Sequence, residues 1–188
     1  FLPRWSNLEP NILWVRSFDD IYNPSMAIRV LVELKKKYKD AKLCMIGPAK
    51  DQSLEHCKSL VEEKLLSDSV LFPGQMNKTE WINLSKNYSI FINTTNYDNL
   101  PVSVIEVMAL GLPIVSTNAG GLPYFLKNNH TALMVEKNDH HTMSEKVISF
   151  LENKELVKSL TIEARNKAET FSWEHISEKW VSLFYNGY

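Results

Sequence analysis

The chain has 188 residues, a formal net charge of −1, and 44% apolar and 23% charged side chains. This composition is typical of a globular protein with one sizeable domain, and the near-neutral charge argues against nucleic acid or an anionic membrane as a partner. No apolar run approaches the roughly 18–20 residues that a membrane span needs. The opening FLPRWSNLEP lacks the apolar stretch of a signal peptide. We therefore expect a cytoplasmic protein in which Cys44 and Cys57 are free thiols.

Short β-branched segments alternate with amphipathic segments along the whole chain. In chain order, the predicted elements are a strand at 12–16, a helix at 24–38, a strand at 41–47, a helix at 53–66, a strand at 69–74, a helix at 79–87 capped by Thr79, a strand at 88–95, a helix at 101–110, a strand at 112–117, a short helix at 121–127, a strand at 131–136, and helices at 140–152, 155–169 and 173–186. This alternation predicts an α/β fold, in which a doubly wound, Rossmann-like parallel sheet of about six strands carries helices on both faces.

The predicted elements divide the chain into three parts. Residues 1–10 resemble a connection that arrives from another domain, residues 11–170 form the Rossmann-like domain, and residues 171–188 form a C-terminal helix. No internal repeat or low-complexity linker interrupts this arrangement.

Polar residues and glycines follow the predicted strands at the edge where ligands of open parallel sheets bind. Pro101 lies in the first turn of a helix whose N-terminus is suited to an anion, and Asn99 could cap this helix. The adjacent Gly120 and Gly121 would allow a ligand to approach the backbone closely. The candidate binding residues at this edge are Arg16, Gly47, Lys50, Gly74, Gln75, Met76, Asp98, Asn99, Leu100, Pro101, Val102, Gly120 and Gly121.

Glu106 is a carboxylate within the otherwise apolar stretch VSVIEVMAL. A buried carboxylate at this position would suit the two hydroxyls of a ribose, because each charge-assisted hydrogen bond contributes roughly 1.5–3 kcal/mol. Alternatively, Glu106 faces solvent or pairs with a lysine. Periodicity alone leaves both interpretations open.

The segment DNLPVSVIEVMALGLPIV, at residues 98–115, resembles the nucleotide-sugar-binding signature of retaining GT-B glycosyltransferases of family 4. That signature has an acidic residue followed eight positions later by a glutamate and then by Ala-Met-Ala-x-Gly-x-Pro-Val. The segments LWVRSF, LCMIG, VLFPGQM, STNAGGLPYF and FSWEHISEKW match further landmarks of the family in the same order. The resemblance extends over about residues 11–182 and implies the C-terminal, donor-binding half of a GT-B fold.

The resemblance also implies roles for individual residues. Glu106 would bind the ribose hydroxyls of the donor, Asp98 would contact its sugar, and Arg16 would neutralise the diphosphate leaving group. The main chain of residues 99–102 would face the diphosphate or the sugar, and the backbone of residues 74–76 would hold the base.

Three positions depart from the family pattern. The family has a lysine five or six residues after the arginine, whereas residues 19–24 contain none. Asp98 replaces a more common glutamate, and Pro48 replaces a glycine. Lys50 is a candidate substitute for the absent cation, and the alternative is a solvated loop lysine.

The resemblance implies an enzyme that transfers a sugar from a nucleoside-diphosphate sugar to a sugar or lipid-linked acceptor with retention, in capsule, lipopolysaccharide or glycolipid synthesis. The acceptor would bind a missing N-terminal domain, the full enzyme could associate peripherally with the inner face of the membrane, and this chain alone would be inactive. A GT-B-like epimerase and a non-catalytic nucleotide or carbohydrate binder remain alternatives. No cofactor is expected beyond the donor substrate. No metal is expected either, because the sequence has no Asp-x-Asp motif and no histidine cluster. The adjacent His140 and His141 would point about 100° apart on a helix, and we interpret them as a solvated helix start.

Overall fold

The computed structural model describes Trp5 and residues 8–186. It contains six strands and eight helices of the α type within these residues, in strict β/α alternation up to the C-terminal helices. The elements are β1 (Asn11–Val15), α1 (Pro24–Lys37), β2 (Lys42–Ile46), α2 (Ser53–Glu63), β3 (Val70–Gly74), α3 (Lys78–Leu84), β4 (Ile90–Asn93), α4 (Val102–Leu110), β5 (Ile114–Thr117), α5 (Leu122–Phe125), β6 (Leu133–Val135), α6 (His140–Glu152), α7 (Lys154–Glu169) and α8 (Trp173–Asn186).

All six strands pair in parallel in the order β3-β2-β1-β4-β5-β6. This is the doubly wound order of a Rossmann fold, so the predicted fold class is confirmed. Strands β1 to β3 are added toward one edge of the sheet and β4 to β6 toward the other. The order therefore reverses between β1 and β4, which are neighbours in the sheet although they are distant in sequence. A crevice for ligands is expected at the carboxyl ends of these two strands.

The two faces of the sheet are covered by separate apolar clusters. Along β1, Ile12 and Trp14 belong to the first cluster, whereas Leu13 belongs to the second. This division follows from the two-residue period of a strand, which sends successive side chains to opposite faces. Helices α1 and α6 pack on the first face, α4 and α5 pack on the second, and α7 contributes to both.

Most predicted elements are present, with shorter bounds than expected. The predicted Thr79 cap is wrong, because Asn77 caps α3 and forms a capping box in which its side chain accepts from the Glu80 N–H at 3.0 Å. Helix α2 ends at Glu63, three residues before the predicted end, and Leu65 takes a left-handed φ of 56°. The predicted connection at 1–10 lies mostly outside the described residues, and the division into domains remains a prediction.

Two expectations from composition concern the described residues. Cys44 and Cys57 are free and buried, as predicted, and burial raises the pKa of Cys44 to about 11 and that of Cys57 to about 12. No helix in the described part of the chain is both long and apolar enough to cross a membrane.

Candidate functional site

Arg16 and Asp98 meet at the carboxyl ends of the neighbouring strands β1 and β4. Arg16 is the first residue after β1, and its Nη2 donates to Oδ2 of Asp98, in the loop that follows β4. The two side chains are 20% and 11% exposed. The guanidinium also lies 4.2 Å from the centre of the Tyr22 ring, a cation–π contact. We call this pair, with the loops that carry it, the switch-point cluster.

Arg16 has no described ion pair with Asp19 or Asp20, the carboxylates nearest to it in sequence. Asp19 instead accepts from the Ile21 N–H at 3.0 Å and caps the short 3₁₀ turn Asp20–Tyr22. The Asp19 carboxylate is therefore bonded to the backbone, and Arg16 pairs with Asp98, which is 82 residues away in sequence.

Arg16 keeps hydrogen-bond donors that no described residue uses. Its Nε is buried without a partner among the described residues, and its hydrogen bond to the Asp98 carboxylate involves only Nη2. Since a guanidinium carries five N–H donors in a planar fork, this geometry leaves donors available for an anion.

Close backbone contacts at glycines hold the switch-point cluster together. A Cβ on Gly47 would lie 1.8 Å from the carbonyl oxygen of Arg16, and the Gly47 N–H donates to the Gly74 carbonyl at 3.0 Å. On the other side, a Cβ on Gly120 would lie 2.2 Å from the carbonyl oxygen of Asp98. Gly121 packs in the same way on the Asn99 backbone. The close approach that Gly120 and Gly121 permit is therefore to the chain's own loop.

The N-terminus of α4 is open at the same edge. Pro101 is its N-cap and makes no side-chain cap hydrogen bond, so the predicted Asn99 cap is wrong. Asn99 and Leu100 are exposed, and Val102 is 63% exposed. Because the first N–H groups of a helix have no partner within the helix, and the dipole is positive there, this terminus is suited to an anion.

Glu106 lies in the second turn of α4 and pairs with Lys78. The distance from Lys78 Nζ to Glu106 Oε1 is 2.8 Å, and the side chains are 70% and 19% exposed. The ligand-free chain thus shows the alternative in which Glu106 pairs with a lysine. The carboxylate is nevertheless mostly shielded, and no described residue bonds its second oxygen.

The switch-point cluster and the Lys78–Glu106 pair are joined by a short segment. Gly74, which accepts from Gly47, is only four residues before Lys78, so their Cα atoms are at most about 14 Å apart. Gln75, in this segment, is exposed, whereas Met76 is half-buried against the second apolar cluster.

Lys50 is exposed, and no described side-chain contact places it at the switch-point cluster. Its N–H donates to the Phe18 carbonyl at 2.9 Å, in the loop after β1. A cavity of about 440 Å³ lies beside α5 and α7. It is lined by the candidate residues Asn99, Leu100 and Gly121 and by Tyr124, Phe125, Lys167 and Phe171.

The family model for glycosyl transferases group 1 matches residues 4–167. The chain belongs to the glycosyl transferases group 1 family. The match includes every strand and the candidate residues at their carboxyl ends. This confirms the resemblance and the enzyme class to which it points.

Individual relatives support the same family and fold. An uncharacterized glycosyltransferase of Haemophilus influenzae is 29% identical over 83% of this chain and 43% of its own length. A crystal structure of S. aureus TarM in complex with Fondaparinux, alpha-GlcNAc-glycerol and UDP has a TM-score of 0.83 and 21% identity over 96% of this chain and 36% of that chain. Anabaena HepE in complex with UDP and glucose has a TM-score of 0.81 and 14% identity over 95% of this chain and 50% of that chain. The chain thus spans half or less of the length of these proteins.

Sequence reasoning did not identify Lys78 or Tyr22, which contact Glu106 and Arg16. One signal for Lys78 was present, because a lysine at the first position of a helix opposes the helix dipole. Tyr22 carried no such signal. Its contact depends on the 3₁₀ turn after β1, which folds the ring onto the guanidinium.

Proposed function

We propose that this chain is the donor-binding half of a retaining glycosyltransferase and that it binds a nucleoside-diphosphate sugar at the carboxyl ends of β1 and β4. The observation that carries the proposal is the switch-point cluster. Arg16, with unused N–H donors, contacts Asp98 in the loop that leads into α4, and the N-terminus of α4 has no side-chain cap. A diphosphate placed there would be bound by a guanidinium and by a helix dipole together.

The proposed roles follow the geometry. Arg16 and the N–H groups at the start of α4 bind the diphosphate. The Glu106 carboxylate separates from Lys78 and accepts hydrogen bonds from the ribose hydroxyls. The backbone of residues 74–76 lies on the segment between these groups and holds the base. Asp98 orients Arg16 in the ligand-free chain. When the diphosphate binds the Arg16 guanidinium in its place, Asp98 contacts the donor sugar.

Relatives with bound ligands favour this assignment. TarM was crystallised with UDP and HepE with UDP and glucose, and both share the fold of this chain over nearly its whole length. Because the chain spans half or less of those proteins, we assign acceptor binding to the remainder of the enzyme. The whole enzyme would act in capsule, lipopolysaccharide or glycolipid synthesis.

In the proposed reaction, the bond between the sugar and the diphosphate breaks and the acceptor oxygen attacks from the same face. The departing phosphate oxygen takes the acceptor's proton. The protein supplies positioning and charge stabilisation rather than a general base. Arg16 acts at the atom where negative charge develops, so its contribution is larger in the transition state than in the ground state.

A non-catalytic nucleotide binder is the second candidate. It is favoured by the charge balance of the site, in which the cations Arg16 and Lys78 are paired with Asp98 and Glu106 and no lysine lies within residues 19–24. Sugar transfer by the full-length protein, measured as acceptor-dependent release of nucleoside diphosphate, separates the two candidates. Binding of the nucleotide sugar by the full-length protein with no release of nucleoside diphosphate from it supports the binder.

The test is calorimetric titration of the chain with UDP, GDP and ADP. We expect saturable binding of one of these nucleotides and at least about a 100-fold loss of affinity in Glu106→Ala, since two charge-assisted hydrogen bonds to the ribose would disappear. Glu152→Ala is the matched control, because Glu152 is also paired with a lysine, Lys37, but lies at the end of α6. Unchanged affinity in Glu106→Ala, or no binding by either the chain or the full-length protein, would contradict the proposal.

A further inference from the structure

Three metal-ligating side chains converge where α6 begins beside α1, in a region that shares no residue with the candidate nucleotide site. His140 and His141 are the first two residues of α6, and Glu33 lies in the third turn of α1. One ligand atom from each of the three lies within 4.8 Å of the others. We propose that Glu33, His140 and His141 bind a divalent transition-metal ion of the Zn²⁺ class.

The two imidazoles are closer than their positions in the helix suggest. Adjacent helix residues point about 100° apart, yet the ring centroids of His140 and His141 are only 4.2 Å apart. His141 Nδ1 also lies 3.3 Å from Glu33 Oε2. Both rings therefore turn toward the same carboxylate, which the spacing within α6 could not show because Glu33 comes from another helix.

The helices that carry the three ligands are held by the core. Val30 and Leu34 of α1 and Met143 and Val147 of α6 belong to one buried cluster. The start of α6 is fixed by Asp139, whose side chain accepts from the Thr142 N–H at 2.9 Å. A site on packed helices is better defined than a site on loops, so a metal ion would need to reorganise only side-chain rotamers.

The donor set suits zinc and its neighbours in the first transition row. Two neutral imidazoles and one carboxylate are the three protein ligands of many zinc sites in which water completes the coordination. A cavity of about 480 Å³ adjoins the cluster and provides room for that water. It is lined by Arg29, Val32, Glu33, Leu60, Glu63, Lys64 and His140.

The charges around the cluster are mixed, because the carboxylates of Glu63 and Asp139 and the cations Arg29, Lys64 and Lys36 all lie near it. Glu33 supplies a carboxylate that is 17% exposed and accepts a hydrogen bond from Lys36. Asp139 places a second carboxylate within electrostatic range of both imidazoles. Lys36 is the competitor, since its Nζ lies 2.5 Å from Glu33. It is 65% exposed, and exposed pairs contribute little to stability, so it can move into water.

The experiment is calorimetric titration of the tag-free chain with ZnCl₂. We expect saturation at one ion per chain for the wild type. Each of His140→Ala, His141→Ala and Glu33→Gln should lower the affinity at least about 10-fold, because even the mutation of a residue that only hydrogen-bonds to a metal ligand lowers metal affinity by about that factor. The matched control is His130→Ala, since His130 also faces a glutamate, with Nδ1 3.9 Å from Glu163 Oε2, but has no second histidine beside it in the described structure. It should bind as the wild type does.

A second readout is thermal unfolding with and without ZnCl₂. An ion that joins α1 to α6 in the native state raises the Tm of the wild type by mass action and leaves that of His141→Asn unchanged, with circular dichroism showing that this conservative variant is folded. Equal Zn²⁺ affinity in the wild type and the three ligand variants, or the absence of saturable binding, would overturn the proposal. Weak binding that is reduced equally by His130→Ala would show adventitious surface binding only.

Discussion

The two ion pairs of the candidate nucleotide site differ in how firmly the fold holds them. Arg16 and Asp98 are 20% and 11% exposed, and their backbones are packed against Gly47 and Gly120 with no space for a Cβ. Lys78 is 70% exposed, and only its flexible side chain joins it to Glu106. The first pair is therefore fixed before a ligand arrives, whereas the second can open when one binds.

This difference assigns different tasks to the two regions. A diphosphate needs cations at fixed positions, because charge stabilisation is strongest when no reorganisation is required. A ribose needs a carboxylate that is ionised and shielded but not permanently occupied. Glu106 meets the second need, because its own side chain is 19% exposed while its partner Lys78 is 70% exposed and can move into water when a ligand binds.

Removing the fixed cation with Arg16→Ala is expected to have an effect of the same order as Glu106→Ala. We expect UDP affinity to fall about 100-fold, or 2–3 kcal/mol, because the variant loses the guanidinium and leaves the Asp98 carboxylate uncompensated. Uridine, which lacks the diphosphate, should lose much less affinity. Parallel calorimetric titrations with UDP and uridine measure the two losses, and equal losses would refute the role assigned to Arg16.

Asp98→Asn is the control for that variant. It keeps the size of the side chain, removes its charge, and leaves the guanidinium free for the ligand. We expect UDP affinity to be maintained or increased. A loss as large as that of Arg16→Ala would mean that the pair, and not the arginine alone, forms the site.

The next effect tests whether glycine packing fixes the switch-point cluster. Gly120→Ala should lower the free energy of unfolding by about 2–3 kcal/mol, because Gly120 has a φ of +55° and a Cβ would lie 2.2 Å from the Asp98 carbonyl oxygen. Gly74→Ala is the matched control, with a φ of +82° and no atom within 4 Å of a Cβ. It should cost about 1 kcal/mol, from backbone conformation alone. Urea denaturation measures both, and equal costs would contradict the packing explanation.

The fold was predictable from sequence because its signals are local. Segments such as KLCMI are apolar on successive residues, which marks a strand buried on both faces, and their alternation with helical periods leaves few other topologies. Element ends were less predictable. For α3, both Asn77, which forms a capping box with Glu80, and Thr79 are suitable N-cap residues, and the sequence alone does not show which of them begins the helix.

The candidate site was predictable only where it follows strand ends. Arg16 and Asp98 were expected at the same edge, but their pairing required knowing that β1 and β4 are neighbours. Lys78 beside Glu106, and Glu33 beside His141, depend on which helices pack side by side. No period or spacing within one segment contains that information.

A smaller effect is expected when the shielded carboxylate loses its charge in Glu106→Gln. The amide keeps one acceptor oxygen, and hydrogen bonds to a charged acceptor are about twice as strong as neutral ones, so we expect about a 10-fold loss of affinity. UDP and uridine should lose affinity equally, because both carry the ribose. This is the opposite pattern to Arg16→Ala, and a loss confined to UDP would place Glu106 at the diphosphate instead.

The smallest effect is expected from Lys78→Met, which removes the movable member of the second pair and keeps most of the aliphatic side chain. Stability should change by no more than about 1 kcal/mol, because the Lys78 side chain is 70% exposed. UDP affinity should rise, by at most about 5-fold, since Glu106 no longer has to leave a cation before it accepts the ribose hydroxyls. Calorimetry at two salt concentrations checks this, because the advantage should shrink as salt weakens the pair in the wild type. A 10-fold loss of UDP affinity that is absent for uridine would instead make Lys78 the second diphosphate cation, in place of the lysine that residues 19–24 lack.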